Sequence, residues 1–194
     1  MNRLGWLLFA LFAAVAIGFA VTVRGGGGSD GAVADDAPAA PGGQPRAVAG
    51  PSGLVIPVAG VPASALVDTF GQDRGDGTRM HGALDIPAPR GAIVMAAAPG
   101  RVEKLFESED GGHTIYIRSD DGRWIHYYAH LDTVLPTIAQ GTHVDRAQAI
   151  ATVGSTGNAD PAAPHLHYEV KQMAPGEAWH QGQAIDPYPL LAGR

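Results

Sequence analysis

From Leu54 to the end of the chain the apolar residues come in short runs, each soon broken by glycine, proline or aspartate. A half-buried helix needs apolar residues every three to four positions over roughly 10 residues or more. No segment after residue 53 sustains that pattern. Short runs between turn residues are what strands look like, so the sequence predicts an all-β domain. "AIVMAAAPGRVEKLF" reads as two strands about a turn at Pro99-Gly100. "HTIYIRSDDGRWIHYYAHL" reads as a hairpin turning at Asp120-Asp121-Gly122, and "GTHVDRAQAIATVG" adds two short strands. The Asp120-Asp121-Gly122 cluster lacks the spaced ligands and closing glutamate of a calcium loop.

Two segments precede this domain. Leu4 to Val23 is 20 residues without a charge, about 30 Å as a helix, which matches a bilayer's hydrocarbon core. It is longer than the ~7–15 apolar residues of a signal peptide and has no good cleavage site, so an uncleaved transmembrane anchor over residues 1–24 is the better reading. Arg3 and Arg24 flank it almost symmetrically and specify orientation weakly. Residues 25–53, rich in Gly, Ala, Pro and Asp, read as a flexible linker. The Gly25–Gly28 run has neither the lysine nor the flanking strand of a phosphate loop. Residues 54–194 then form one domain.

Charge and cysteine content narrow the chemistry. The net charge of −6 lies wholly in residues 54–194, because the first 53 carry three basic and three acidic side chains. No basic patch invites nucleic acid. With no cysteine, the chain has neither disulfide nor thiolate, and any metal site must be built from His, Asp and Glu.

Eight histidines are available for such a site. In "APHLHYEV", Pro164 disfavours a helix. A strand there puts His165, His167 and Glu169 on one face, and Leu166, Tyr168 and Val170 on the other. Both imidazoles could then reach one ion, or one could ligate while its neighbour moves protons; spacing does not decide. "MHGALDIPAP" supplies His81 and Asp85 where a loop enters a strand, a pair that could ligate zinc but that, taken alone, is more often a supporting hydrogen bond. "IHYYAHLD" places His126, Tyr128 and His130 on one strand face, with Tyr128 a candidate groove residue. His126, His113, His143 and His180 have no partner motif and are expected at turns or exposed positions. The loop "GSTGNADPAAPHLH" is a plausible groove rim, with Asn158 its candidate contact. Ser155 lacks the setting of a serine nucleophile.

Taken together, "HGALD", "YYAHLD" and "GSTGNADPAAPHLHYEV" resemble the M23 family of zinc endopeptidases, the lysostaphin-like or LytM peptidases that cleave peptide bonds in bacterial cell walls. The likeness runs from about Leu54 to Leu191. It implies an antiparallel sheet framing a groove, with a duplicated hybrid motif related to lipoyl domains. It also implies Zn²⁺ held by His81, Asp85 and His167, with a zinc-bound water as nucleophile. His130 and His165 become the catalytic pair beside the metal, peptidoglycan peptide the substrate, and the outer side of the cytoplasmic membrane the location. One departure is Ala83, where family members commonly carry glycine; here glycine is at 82.

Other classes fit less well. Family members that activate a cell-wall amidase typically lack one or more ligands, whereas all five positions are filled here. A lipoyl or biotinyl carrier needs an exposed hairpin lysine, which Lys104 and Lys171 do not provide. A sugar-transport phosphocarrier can pair histidines on a related sheet, but it is cytosolic and leaves the anchor unexplained.

Overall fold

The computed structural model describes residues 46–50, 52–74, 77 and 79–193. The predicted Leu4–Val23 anchor and most of the predicted linker lie outside these residues. Among the described residues no helix is long and apolar enough to cross a membrane.

The fold is antiparallel β with almost no helix. In chain order the strands are β1 (Asp73–Arg74), β2 (Arg79–Met80), β3 (Leu84–Pro87), β4 (Ile93–Met95), β5 (Gly100–Ser108) and β6 (Gly112–Ser119). They continue with β7 (Trp124–Val134), β8 (His143–Val144), β9 (Ala149–Val153), β10 (His165–Gln172) and β11 (Gln183–Ile185). The short helix α1 (Pro187–Ala192) closes the chain. Asp186 starts it by accepting from the Tyr188 N–H at 2.8 Å, and Gly193 stops it in the left-handed conformation that glycine adopts cheaply.

β1 and β2 form a hairpin of their own, and the other nine strands make one sheet with the spine β11-β10-β7-β6-β5-β8. β3 joins it along β10, and β9 bridges β7 and β4. The β6–β7 hairpin turns where the sequence predicts it. The strands flanking Pro99-Gly100 are also present, but they do not pair with each other: β4 pairs with β9, and β5 with β6. Residues 46–50, grouped by composition with the linker, hydrogen-bond back to the domain, as in Ile56 N–H to Val48 O at 2.8 Å.

Alternation gives the central strands two different faces. Ile115, Ile117, Tyr128, Leu166, Tyr168 and Val170 point into the main core with Ile56, Val58, Val94, Ile150 and Val153. Tyr116, Ile125, Tyr127, Ala129 and Met173 lie on the other side, in a smaller cluster beside Trp179. His165, His167 and Glu169 share this second side, and the functional groove opens there.

Candidate metal centre

Three segments distant in sequence converge at the β3 edge of β10. His81 follows β2, Asp85 lies in β3, and His167 pairs directly with Asp85 across the ladder. His81 Nε2 is 3.1 Å from Asp85 Oδ1, His167 Nδ1 is 3.1 Å from the same oxygen, and the two nitrogens are 3.2 Å apart. A tetrahedral ion with bonds of about 2.0–2.1 Å sets its ligands about 3.3 Å apart. The triangle therefore has the edges of one face of such a tetrahedron.

Hydrogen bonds behind the triangle fix which nitrogen faces inward. His81 Nδ1 lies 2.8 Å from Thr69 O, and a carbonyl can only accept, so the proton sits on Nδ1 and the Nε2 lone pair faces the centre. His167 Nε2 lies 3.2 Å from Glu169 Oε1, which likewise frees Nδ1 for the centre. Glu169 is held in turn by Lys171 at 3.2 Å. Thr69 also accepts the Asp85 N–H on its hydroxyl at 2.9 Å, bracing both neighbouring groups. The second Asp85 oxygen is ion-paired to Arg74.

Three acceptor atoms so close together need positive charge between them. Burial pushes His167 down, but hydrogen bonds and charge from Asp85 and Glu169 outweigh it and raise its pKa. Burial pushes Asp85 up, but the His167 and His81 rings hold it far below the usual carboxylate range. Glu169 is pushed up by burial and brought below its ordinary value by His167 and Lys171. The donor set of two imidazoles and one carboxylate suits zinc better than the all-oxygen cations.

Two further imidazoles stand beside the triangle. His165 donates from Nδ1 to Ala163 O at 2.9 Å, and its Nε2 lies 3.9 Å from Asp85 Oδ1. His130 donates from Nδ1 to Thr156 O at 2.8 Å. The His130 ring is centred 5.0 Å from that of His165 and 5.6 Å from that of His167. Burial pulls the His130 pKa down to about 4, helped by His167 and His165 and opposed by the Thr156 hydrogen bond. Among the described residues neither Nε2 has a hydrogen-bond partner.

A backbone irregularity brings His130 to this face. Regular alternation from Tyr128 would leave it on the core side, but the β6–β7 register shifts between His113 and Ile115, and His130 adopts φ 58°. That left-handed conformation is costly for a non-glycine residue and needs support. The His130 N–H finds Gly111 O at 2.8 Å, and Thr156 takes the ring. Two glycines make this support possible. Gly112 (φ 62°) and Gly157 (φ 71°) let the turn before β6 and the loop before β10 touch backbone to backbone. A Cβ on Gly157 would lie 2.2 Å from Asp110 O.

The groove over this centre has a volume of about 580 Å³, and its lining includes all five of these side chains and Asn158. Asn158 donates to Asp110 Oδ1 at 3.0 Å. Tyr128 is a correction: it is fully buried in the core and donates nothing to the groove, since its hydroxyl accepts from the Ala97 N–H at 2.9 Å. The bulge separates it from His130, and Tyr127 lines the groove instead. His126 is also corrected, from an exposed position to a buried one whose Nδ1 meets the Tyr168 hydroxyl at 2.8 Å. His143 and His180 are exposed and His113 partly so, as expected. Ser155 is held by Arg90 rather than by a histidine. Thr69, Arg74, Tyr127 and Thr156 were not picked out by sequence; Glu169 had been placed on the correct face without a task.

Comparison with known proteins points to one peptidase family. The sequence profile of peptidase family M23 matches residues 79–187. The L-Ala--D-Glu endopeptidase of Bacillus subtilis (strain 168) is 36% identical over 129 residues, covering 63% of this chain and 38% of that protein. The murein hydrolase activator NlpD of Escherichia coli (strain K12) is 30% identical over 130 residues, 66% of this chain and 30% of that one. The chain thus spans less than two fifths of the length of these curated relatives. The catalytic domain of lysostaphin, an antimicrobial peptidase from Staphylococcus simulans, superposes with a TM-score of 0.54 at 28% identity, over 64% of this chain and 89% of that one.

Proposed function

The chain belongs to peptidase family M23, and from that premise we propose that it is a zinc-dependent endopeptidase hydrolysing peptide bonds of bacterial peptidoglycan. The observation that carries the reading is the inward convergence of His81 Nε2, Asp85 Oδ1 and His167 Nδ1, within 3.2 Å of one another, beside two free imidazole nitrogens in one groove. These three residues would hold Zn²⁺ and leave a fourth position open. Bound there, the ion would polarise the scissile carbonyl and lower the pKa of a water molecule towards about 7.

The chain's own groups do the rest. His165 Nε2, beside the centre with its ring fixed by the Nδ1–H donated to Ala163 O, takes the proton of the attacking water. His130, kept neutral by its depressed pKa, presents Nε2 on the same side. There Nε2 accepts a hydrogen bond or a proton, and the proton that His165 takes from the water is the one passed on to the leaving amine. The two backbone carbonyls that accept from the Nδ1 atoms turn both Nε2 atoms towards the centre.

The likeness to a murein hydrolase activator defines the alternative, a domain that binds and activates a cell-wall amidase without cutting peptides. The complete ligand set and both neighbouring histidines support hydrolysis instead. Incubating the purified protein with peptidoglycan and identifying released fragments by mass spectrometry tests this. New peptide amino and carboxyl termini that disappear with chelator are expected. No release by the zinc-loaded protein, together with stimulation of an added amidase, would overturn the enzyme reading in favour of the activator.

A further inference from the structure

We infer that Arg74 is a positioning residue that keeps Asp85 on the metal centre through a single oxygen; this rests on the zinc reading above. The two Asp85 oxygens have different partners. Oδ1 faces His81 Nε2 and His167 Nδ1, each at 3.1 Å, while Oδ2 is engaged by Arg74 Nη2. A carboxylate with no partner on its second oxygen is free to turn and bring both oxygens onto a cation. The guanidinium prevents that turn and leaves the fourth position of the centre open.

Three observations single out Arg74. Its pair with Asp85 is sheltered, with the two side chains 39% and 16% exposed, so water screens it less than an open surface pair. Arg74 Nε is buried without a hydrogen-bond partner among the described residues, a cost that native structures rarely bear without a reason. The arrangement also has a counterpart across the centre, where Lys171 holds Glu169 and Glu169 holds His167. Asp85 and Glu169 therefore each have their own cation. Arg74 lies on the β1–β2 hairpin, outside the nine-stranded sheet, so this pair ties the hairpin to the centre.

The test uses the full chain with Arg74→Met and Arg74→Lys. Zinc dissociation constants come from chelator competition, and coordination is read from the visible spectrum of the Co²⁺-substituted protein. Arg74→Met should bind zinc about 10- to 100-fold more weakly, the usual effect of losing an outer partner of a ligand. Its cobalt absorption should weaken as Asp85 adds its second oxygen. Arg74→Lys should restore part of the affinity, because an ammonium pairs with the carboxylate as a point charge but not as a planar fork. A purely structural role would lower the melting temperature of the metal-free protein and leave the cobalt spectrum alone. Arg74→Met binding zinc within about twofold of wild type, with an unchanged spectrum, overturns this inference only. Wild-type protein that binds no zinc overturns the metal reading, and this inference with it.

Discussion

Acid should destabilise this protein through His126, a residue outside the groove. It lies on the core side of β7, 3% exposed, stacked on Tyr168 with ring centroids 6.1 Å apart. Burial pulls its pKa from 6.5 down to about 4, against a weaker opposing pull from Asp121. An unfolded histidine gains its proton near pH 6.5, whereas the folded one stays neutral until about pH 4. Unfolding therefore takes up a proton between those values. The stability present above pH 6.5 is lost as the pH falls through this window, and the loss levels off below it. A gap of about 2.5 units at 1.36 kcal/mol each is about 3 kcal/mol, a large share of a typical domain's stability. His130, also drawn to about 4, loses stability in the same window, so the test must be differential. Urea denaturation of wild type and His126→Asn at pH 7 and pH 4, with EDTA removing metal linkage, isolates the His126 share. The variant should start less stable but fall by about 3 kcal/mol less. Equal losses in the two proteins would refute the claim that this imidazole is buried in its neutral form.

Other outcomes follow from the site and its support. Asp85→Ala and His167→Ala should lose most bound zinc by elemental analysis, whereas His130→Ala and His165→Ala should retain it and lose turnover by about 10²- to 10⁴-fold. Zinc release from His165→Ala would make both histidines of the β10 pair ligands. Gly157→Ala, whose Cβ would meet Asp110 O at 2.2 Å at φ 71°, should cost about 2 kcal/mol or more and move the Thr156 carbonyl off His130; an unchanged melting temperature would contradict this. If residues 4–23 anchor the protein with the domain outside, protease added to spheroplasts should digest residues 54–194. A protected domain would place it in the cytosol and undercut the wall-hydrolase reading.

Much of the architecture was readable because strands announce themselves locally. The two-residue period in His165–Val170 fixed which side chains share a face, and Asp120-Asp121-Gly122 marked the β6–β7 hairpin. What resisted reading depends on events between strands. The bulge that lifts His130 to the groove is a register shift against β6, invisible in "IHYYAHLD" itself, and it alone explains why Tyr127 replaces Tyr128 in the groove. His126 looked unpartnered because its partner Tyr168 is 42 residues away. β4 and β5 were placed correctly as strands, yet their pairing partners could not be inferred from a turn between them. Thr69 and Arg74 precede His81 by 12 and 7 positions in a stretch without periodicity, and only the folded geometry shows what they hold. Glu169 is the exception: alternation had already placed it beside His167.

His81 and His167 stand 86 residues apart in the chain, with their ring nitrogens 3.2 Å apart in space. This protein has no cysteine, so a shared ion would be its nearest equivalent to a disulfide. By loop-closure arithmetic, a tie of that length removes about 4–5 kcal/mol worth of unfolded-chain entropy. Ion and fold are then linked by mass action, and the melting temperature should climb with the logarithm of free zinc once the ion exceeds its dissociation constant. If these residues share an ion, zinc supply would then act on the persistence of the folded chain as well as on the site itself.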